Sequence, residues 1–193
     1  MAKLIIRPKQ APLTGITTVP GDKSISHRAV MLGALAQGTS AVRKWLPAGD
    51  TIATLDAICA LGVEISAEKS SDLAWDLTIH GRGLSGLQPP AGPLDCRNAG
   101  TCLRLLSGIM AGQPFPAVLD GSEQLRKRPM GRIVYPLRQM GAAIEADDQR
   151  APLRFRPARL SGIDYRLPVA SARAISTRRR SPPDSACPRL LRR

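Results

Sequence analysis

Aromatic residues are scarce in this chain, with two tryptophans, two tyrosines and two phenylalanines among 193 residues. Proteins that grip single-stranded nucleic acid depend on aromatic rings that stack against the bases. The composition therefore disfavours that class of binding. Histidine and cysteine are also few: there are two histidines and four cysteines, no Cys-x-x-Cys pair and no histidine spacing suited to zinc. We expect no metal site, and we expect buried, reduced thiols.

Long apolar runs are missing as well. No stretch approaches the roughly 20 residues that a membrane helix requires. The opening Met-Ala-Lys-Leu-Ile-Ile-Arg-Pro is too short and too soon interrupted for a signal peptide. The sequence predicts a cytoplasmic protein without membrane contact. Because 43% of its residues are hydrophobic, it also predicts a globular core.

Positive charge is in excess, with a formal net charge of +13. Residues 173–193 hold seven arginines and one acidic residue, so this short segment supplies +6 of the total. The remaining +7 over 172 residues suits small anionic substrates as well as it suits a nucleic acid. We interpret 173–193 as a basic Arg/Pro/Ser tail, either natural and disordered or translated out of frame.

Short β segments alternate with amphipathic helices along residues 1–172, which predicts an α/β fold in one partial domain. The first helix, about 24–37, is expected to bury a stripe of four residues, Ile25, Ala29, Leu32 and Ala36. Three further helices are predicted to begin at Asp50 or Thr51, at Asn98 and near Pro129. The predicted strands are Leu4–Arg7, Ile16–Val19, Ser40–Trp45, Val63–Ser66, Ala74–Ile79, Pro116–Leu119, Ala143–Ala146 and Leu153–Phe155.

This order of elements occurs twice. The segments 60–65 and 139–144 occupy matching places, and the helix-ending glycines Gly38 and Gly112 are 74 residues apart. We interpret the sequence as two copies of a β-α-β-α-β-β unit, followed at 163–167 by the start of a third.

One loop that enters a helix carries residues suited to anions. Lys23 stands at the helix entrance, and Ser24 and Arg28 are four residues apart and so share one helical face. The free N–H groups and the positive dipole end of a helix start attract phosphate or carboxylate oxygens. An ordinary turn with an exposed lysine explains the same residues, and the glycine spacing of a P-loop is missing.

Two more loops have a similar character. In 95–104, small residues and Gly100 leave a helix start open to a ligand, although a capping turn explains Asn98 equally well. In 121–131, three cations at 126–128 precede Pro129; they form either a solvated loop or a clamp for a carboxylate or phosphate. Together the three loops indicate a small ligand with several negative charges.

Acid–base candidates are weak. Asp50 and Asp95 are better explained as helix caps, and His27 and His80 as structural residues. No Ser-His-Asp or Cys-His arrangement is suggested. We assign no catalytic residue in this chain.

The three loops, taken together, resemble the EPSP synthases (3-phosphoshikimate 1-carboxyvinyltransferases) of the enolpyruvyl transferase family. The matching segments are Pro-Gly-Asp-Lys-Ser-Ile-Ser-His-Arg-Ala at 20–29, Asn-Ala-Gly-Thr at 98–101 and Leu-Arg-Lys-Arg-Pro-Met-Gly at 125–131. The resemblance runs from about residue 4 to Ala172. It implies an α/β (α+β) fold of six βαβαββ-type units, about two of them present here.

The resemblance also implies an activity. The family transfers the enolpyruvyl group of phosphoenolpyruvate to the 5-hydroxyl of shikimate 3-phosphate and releases phosphate, without a metal or organic cofactor. This step belongs to the shikimate pathway, which leads through chorismate to the aromatic amino acids. Four residues are implied to bind shikimate 3-phosphate: Lys23, Ser24, Arg28 and Ser171. Three are implied to bind phosphoenolpyruvate: Lys23, Gly100 and Arg128.

The resemblance is lost in the third unit, where Arg173 replaces a glutamine that the family uses. The acid–base Asp and Glu of the family fall beyond this point, so we expect the chain to be inactive alone. The family implies a monomer. A UDP-N-acetylglucosamine enolpyruvyl transferase would have asparagine in place of Ser24 and a cysteine within 121–131. A basic nucleic-acid-binding fragment and an inert fragment remain alternatives.

Overall fold

The computed structural model describes residue 12 and residues 14–165. The helices of this part are α1 (Lys23–Leu35), α2 (Gly49–Ala60), α3 (Gly100–Met110), α4 (Glu123–Arg126) and α5 (Gly131–Gln139). The strands are β1 (Gln37–Trp45), β2 (Glu64–Ser71), β3 (Ala74–Arg82), β4 (Leu94–Asp95), β5 (Ala117–Asp120), β6 (Ala143–Glu145) and β7 (Leu153–Arg156).

The strands form two sheets that share one topology. The first sheet has the order β1-β3-β2 and is antiparallel throughout. The second has the order β4-β5-β7-β6, in which β5-β7-β6 repeats the arrangement of the first sheet and β4 adds a parallel neighbour to β5. Each sheet carries two main helices at matching places in the chain, α1 and α2 for the first and α3 and α5 for the second. The predicted α/β repeat is therefore confirmed for the described residues.

Helix α1 packs very closely on the first sheet. It begins where the Asp22 carboxylate accepts a hydrogen bond from the Ile25 N–H at 2.7 Å. A Cβ placed at Gly33 would lie 2.9 Å from the Cδ1 of Ile79 in β3. A Cβ at Gly81, also in β3, would overlap the carbonyl oxygens of Gly33 and Ala36. Glycine at both positions lets the helix backbone approach the strand.

The predicted buried stripe of α1 is wrong. The side chains of Ile25 and Leu32 are 68% and 67% exposed, and Ala29 and Ala36 are only partly buried. The helix instead buries its opposite face, whose members are Ser26, His27, Val30, Met31, Gly33 and Ala34. Residues 29–35 are apolar or small on every side, so periodicity alone cannot decide which face packs inward.

Several element boundaries also differ from the predictions. Ile16–Val19 is not a strand; Ile16 and Val19 are exposed and the segment has no regular structure. Helix α2 begins at Gly49, α3 at Gly100 and α5 at Gly131, and the N-cap residues of α2 and α3 are Ala48 and Ala99, not Asp50 or Asn98. Thr51 does help to cap α2, because its hydroxyl accepts the Ala48 N–H at 2.9 Å. Residues 163–165 have no regular structure. The predicted strand Leu4–Arg7, Ser171 and the tail 173–193 lie outside the described residues.

One core runs through both units. Its largest fully buried side chains include Trp45 and Ile58 from the first unit and Leu103, Leu106 and Phe155 from the second. Helices α1, α2 and α3 contact one another, which joins the two sheets. No helix in the described part of the chain has the length and apolar character needed to cross a membrane.

Candidate active site

The first candidate loop leads into α1. Lys23 and Ser24 are exposed at the helix start, and Arg28 donates from Nη1 to the backbone carbonyl of Ser24 at 3.1 Å. The ammonium group of Lys23 forms an ion pair with the carboxylate of Asp50, which stands in the first turn of α2. The three residues predicted from this loop are therefore brought together on one exposed surface.

The second and third candidate loops lie side by side. Strands β4 and β5 are parallel, with Leu94 opposite Leu119 and Asp95 opposite Asp120, so both strands end at the same edge of the sheet. The loops that follow are tied through their backbones: the Ser122 N–H donates to the carbonyl of Arg97 at 2.7 Å. A helix follows each strand, which places two helix N-termini at one edge.

Gly100 and Arg128 meet at the start of α3. A Cβ placed at Gly100 would lie 3.2 Å from Nη1 of Arg128 and 2.7 Å from Nη1 of Arg104. The residue before the helix is Ala99, which has no side chain able to cap the helix N–H groups. Gly100 is itself buried. A helix start without a side-chain cap, beside a guanidinium group, is suited to a phosphate or carboxylate.

Arg104 was missed by the sequence reasoning. It donates from Nη1 to the carbonyl of Gly100 at 3.2 Å and from Nη2 to the carbonyl of Pro129 at 3.3 Å. It therefore connects the start of α3 to the loop that carries Arg128. The i, i+4 spacing from Gly100 to Arg104 was a signal for the first contact, but no local pattern indicates the second.

The three cations at 126–128 have different surroundings. Arg126 binds Asp120 through two bonds, Nε to Oδ1 at 2.9 Å and Nη2 to Oδ2 at 2.5 Å, and this pairing holds the pKa of the Asp120 carboxyl below its usual range. Lys127 pairs with Glu123 at 2.7 Å. Arg128 donates from Nη2 to the neutral side-chain amide of Asn98 at 3.2 Å. Of these three, Arg128 is therefore the one whose side-chain partner is uncharged.

Helix α2 connects the two halves of the site. Near its start Asp50 pairs with Lys23, and six residues later Asp56 pairs with Arg97 at 2.8 Å. Six residues correspond to about 9 Å along a helix. The α1 loop is thus linked to the β4–β5 edge through α2.

A cavity of 620 Å³ opens at the β4–β5 edge. Its lining includes Arg97, Asn98, Ser122 and Arg126 together with the carboxylates of Asp95 and Asp120. The wall therefore carries charges of both signs. Arg126 and Arg97 are engaged by Asp120 and Asp56, so the cavity wall is partly neutralised.

The acid–base candidates have structural contacts. His27 is fully buried, and its Nδ1 lies 2.6 Å from the Thr54 hydroxyl. His80 contacts the Thr39 hydroxyl at 3.2 Å. The Asp95 carboxylate accepts the Arg97 N–H at 2.7 Å. Within residues 12 and 14–165, no three His, Cys, Asp or Glu side chains are grouped closely enough to hold a metal ion.

Two of the four cysteines are buried at the base of the site. Cys96 follows β4 and Cys102 lies in the first turn of α3, and both are fully shielded from solvent. A hydrogen bond with Cys102 and burial raise the pKa of the Cys96 thiol well above its usual range, which keeps the thiol protonated. The prediction of buried thiols is wrong for Cys59, which is exposed.

Known proteins with similar sequences share one description. The family model of EPSP synthase (3-phosphoshikimate 1-carboxyvinyltransferase) matches residues 8–177. The 3-phosphoshikimate 1-carboxyvinyltransferase of Acidithiobacillus ferrooxidans is 52% identical over 176 residues, which cover 91% of this chain and 40% of that protein. The one from Salinibacter ruber is 50% identical over 169 residues, or 86% of this chain and 38% of that protein.

Solved structures agree with the sequence matches. An EPSP synthase structure from Acinetobacter baumannii superposes with a TM-score of 0.79 at 45% identity, covering 84% of this chain and 36% of that one. The chain thus spans about two fifths of the length of the curated relatives that it matches, 40% in the first case.

Proposed function

Because the chain belongs to the EPSP synthase family, we propose that it binds shikimate 3-phosphate and phosphoenolpyruvate and carries part of the site where the enolpyruvyl group passes between them. The chain spans 40% of the length of a curated relative. We therefore propose ligand binding for this chain and the transfer reaction as the activity of the family.

The phosphoenolpyruvate half of the proposal rests on Gly100 and Arg128. Their proximity at the uncapped start of α3, 3.2 Å from a Gly100 Cβ position to Nη1 of Arg128, is the single observation that carries it. At Gly100 no side chain separates the Arg128 guanidinium group from the helix backbone, and Arg128 supplies a planar donor pair for a carboxylate or phosphate. Lys23 is proposed as a further contact to phosphoenolpyruvate.

The shikimate 3-phosphate half rests on the α1 loop. Lys23, Ser24 and Arg28 present an ammonium group, a hydroxyl and a guanidinium group at one helix start. Since Lys23 is paired with Asp50, a phosphate would compete with that carboxylate for the ammonium group. Ser171, the fourth proposed contact, lies outside the described residues.

The chemistry needs two polyanions to be held in contact. In the transfer, the 5-hydroxyl oxygen of shikimate 3-phosphate adds to C2 of phosphoenolpyruvate while the hydroxyl proton is released and C3 gains a proton. Phosphate then leaves C2 of the tetrahedral intermediate as C3 loses a proton, which restores the carbon–carbon double bond. Cationic side chains and helix N-termini lower the repulsion between the substrates and fix their orientation. We assign none of the described residues to the proton transfers, and no metal or organic cofactor enters the proposal.

The runner-up functions have less support. The matched family is described as EPSP synthase, which favours shikimate 3-phosphate over UDP-N-acetylglucosamine as the acceptor. The arginine-rich tail, on which the nucleic-acid alternative depends, lies outside the described residues. The cytoplasmic location, the monomeric state and the inactivity of the chain alone stay predictions.

Calorimetry on the purified 193-residue chain tests the proposal. We expect shikimate 3-phosphate to bind the wild type and Arg28→Ala to weaken that binding roughly ten- to hundredfold, since a hydrogen bond to a charged group contributes about 1.5–3 kcal/mol. Arg128→Ala should weaken phosphoenolpyruvate binding to a similar degree. Lys69→Ala is the control, because Lys69 is an exposed cation in β2 that pairs with Asp72.

The pattern across ligands separates a site from general charge attraction. Arg28→Ala should weaken the binding of shikimate 3-phosphate, and Arg128→Ala should weaken the binding of phosphoenolpyruvate. Sulfate at the same ionic strength should compete only weakly with either ligand. Equal losses for the two arginine variants and for Lys69→Ala would indicate unspecific attraction and would contradict the proposal.

A further inference from the structure

The Asn98 side chain lies between Arg128 and a short helix that follows β5. Its Oδ1 accepts from Nη2 of Arg128 at 3.2 Å and from the Ser122 hydroxyl at 3.4 Å. Its Nδ2 donates to Oε1 of Gln124 at 3.2 Å. Gln124 belongs to α4, the four-residue helix Glu123–Arg126.

The orientation of the Asn98 amide is fixed by its neighbours. The Arg128 guanidinium group can only donate, so the Asn98 atom that faces it must be the oxygen. The amide nitrogen then faces Gln124 and needs an acceptor there. Ser122 strengthens this arrangement, because its oxygen already accepts the Leu125 N–H at 3.2 Å and its proton is free to point at Asn98.

We infer that Gln124 is a positioning residue for Arg128 and acts through the amide of Asn98. With an acceptor at 124, the Asn98 oxygen stays turned toward Arg128 and holds the guanidinium group beside Gly100. Without an acceptor, the amide is released, and in its reversed orientation two donor groups would face each other. This role rests on the proposed function, in which Arg128 binds phosphoenolpyruvate.

The positioning role and simple charge attraction predict opposite changes in phosphoenolpyruvate affinity for one substitution. Gln124→Lys removes the acceptor and adds a positive charge. If only charge mattered, phosphoenolpyruvate would bind the variant more tightly. Positioning predicts weaker binding, by about three- to tenfold, the effect expected for one ordinary hydrogen bond. Gln124→Met, nearly isosteric and uncharged, should weaken binding by a similar factor.

A measurement without ligand tests the positioning directly. In the ligand-free chain, NMR reports rotation of the Arg128 guanidinium group about its Nε–Cζ bond, which the Asn98 contact slows. Gln124→Met should speed this rotation, and Gln124→Glu, which keeps an acceptor, should restore the wild-type rate. In an Asn98→Ala background, exchange of Gln124 for Met or Glu should change nothing.

The matched control is Gln139→Met, because Gln139 is an exposed glutamine at the end of α5. It should leave both the rotation and the affinity at wild-type values. Unchanged rotation and affinity in Gln124→Met, or tighter phosphoenolpyruvate binding in Gln124→Lys, would refute the positioning role. A wild-type chain that does not bind phosphoenolpyruvate would contradict the proposed function, and the ligand-free rotation rates would still decide the role of Gln124.

Discussion

Gly100→Ala is the substitution that most directly probes the uncapped start of α3. The added methyl group would lie 2.7 Å from Nη1 of Arg104 and 3.2 Å from Nη1 of Arg128. The first distance is too short for carbon and nitrogen in contact, so the Arg104 guanidinium group must move. The second is tight, so Arg128 must shift by a few tenths of an ångström or tilt.

The expected cost in stability is small. Arg104 would lose its bonds to the carbonyls of Gly100 and Pro129, which contribute about 1 kcal/mol or less each at a partly exposed site. Alanine in place of glycine at a helix position gains up to about 1 kcal/mol. The two effects nearly cancel, and we expect the free energy of unfolding to change by less than about 1 kcal/mol.

The expected cost in binding is larger. The methyl group displaces the guanidinium group of Arg128, which is the proposed contact to phosphoenolpyruvate. Loss of one charge-assisted hydrogen bond, about 1.5–3 kcal/mol, corresponds to roughly ten- to hundredfold weaker phosphoenolpyruvate binding.

Calorimetry with phosphoenolpyruvate and urea unfolding of the same samples measure the two effects. Gly49→Ala is the control, since Gly49 is also the first residue of its helix and a Cβ there meets nothing within 4 Å. Phosphoenolpyruvate binding by Gly100→Ala at the wild-type affinity would refute the reasoning. So would an equal loss of affinity in both variants.

Two further predictions concern stability. Gly81→Ala should destabilise the chain by more than about 3 kcal/mol in urea unfolding, because its Cβ would overlap two backbone carbonyls. Gly33→Ala should cost less, because the three atoms nearest to its Cβ belong to the Ile79 side chain, with Cδ1 at 2.9 Å; similar losses would contradict this packing. Because Arg126 lowers the pKa of folded Asp120 below its usual value of 3.8, the pairing should make the wild type more stable than Asp120→Asn at pH 7. This difference should disappear as the pH falls below 3.8 and through the folded value, and a difference independent of pH would show that the carboxylate charge is not responsible.

The repeat could be predicted from the sequence because each unit marks its own boundaries. Gly62 and Gly141 have positive φ, directly follow the C-caps of α2 and α5, and are visible as terminators. Gly38, predicted to end the first helix, instead lies in β1, because α1 ends at Leu35. The packed face of α1 could not be predicted, since its apolar residues surround the helix and the choice is made by the contact of Gly33 with β3. Strand β4 has two residues, too few for any periodic signal.

The candidate site also has a part that the sequence predicts and a part that only the fold determines. Lys23, Gly100 and Arg128 stand in recognisable local motifs at helix starts. The contacts between these motifs are not visible in the local sequence: helix packing brings Asp50 to Lys23, and the pairing of β4 with β5 brings Asn98 to Arg128. Local patterns therefore identify which cations and glycines could bind an anion, and only the fold tells which of those cations are already neutralised.

The α1 loop and the loop that carries Arg128 differ in how far their cations are already neutralised. Lys23 forms an ion pair with Asp50, so a phosphate must displace a carboxylate, and part of the attraction offsets the loss of that pair. Arg128 is oriented by the neutral amide of Asn98 and keeps its charge for the ligand. The neutral Asn98 amide orients the guanidinium group of Arg128 without neutralising its charge. A carboxylate in the same place would form an ion pair with Arg128, as Asp120 does with Arg126. Arg128 is for this reason better suited than the neighbouring Arg126 to bind an incoming anion.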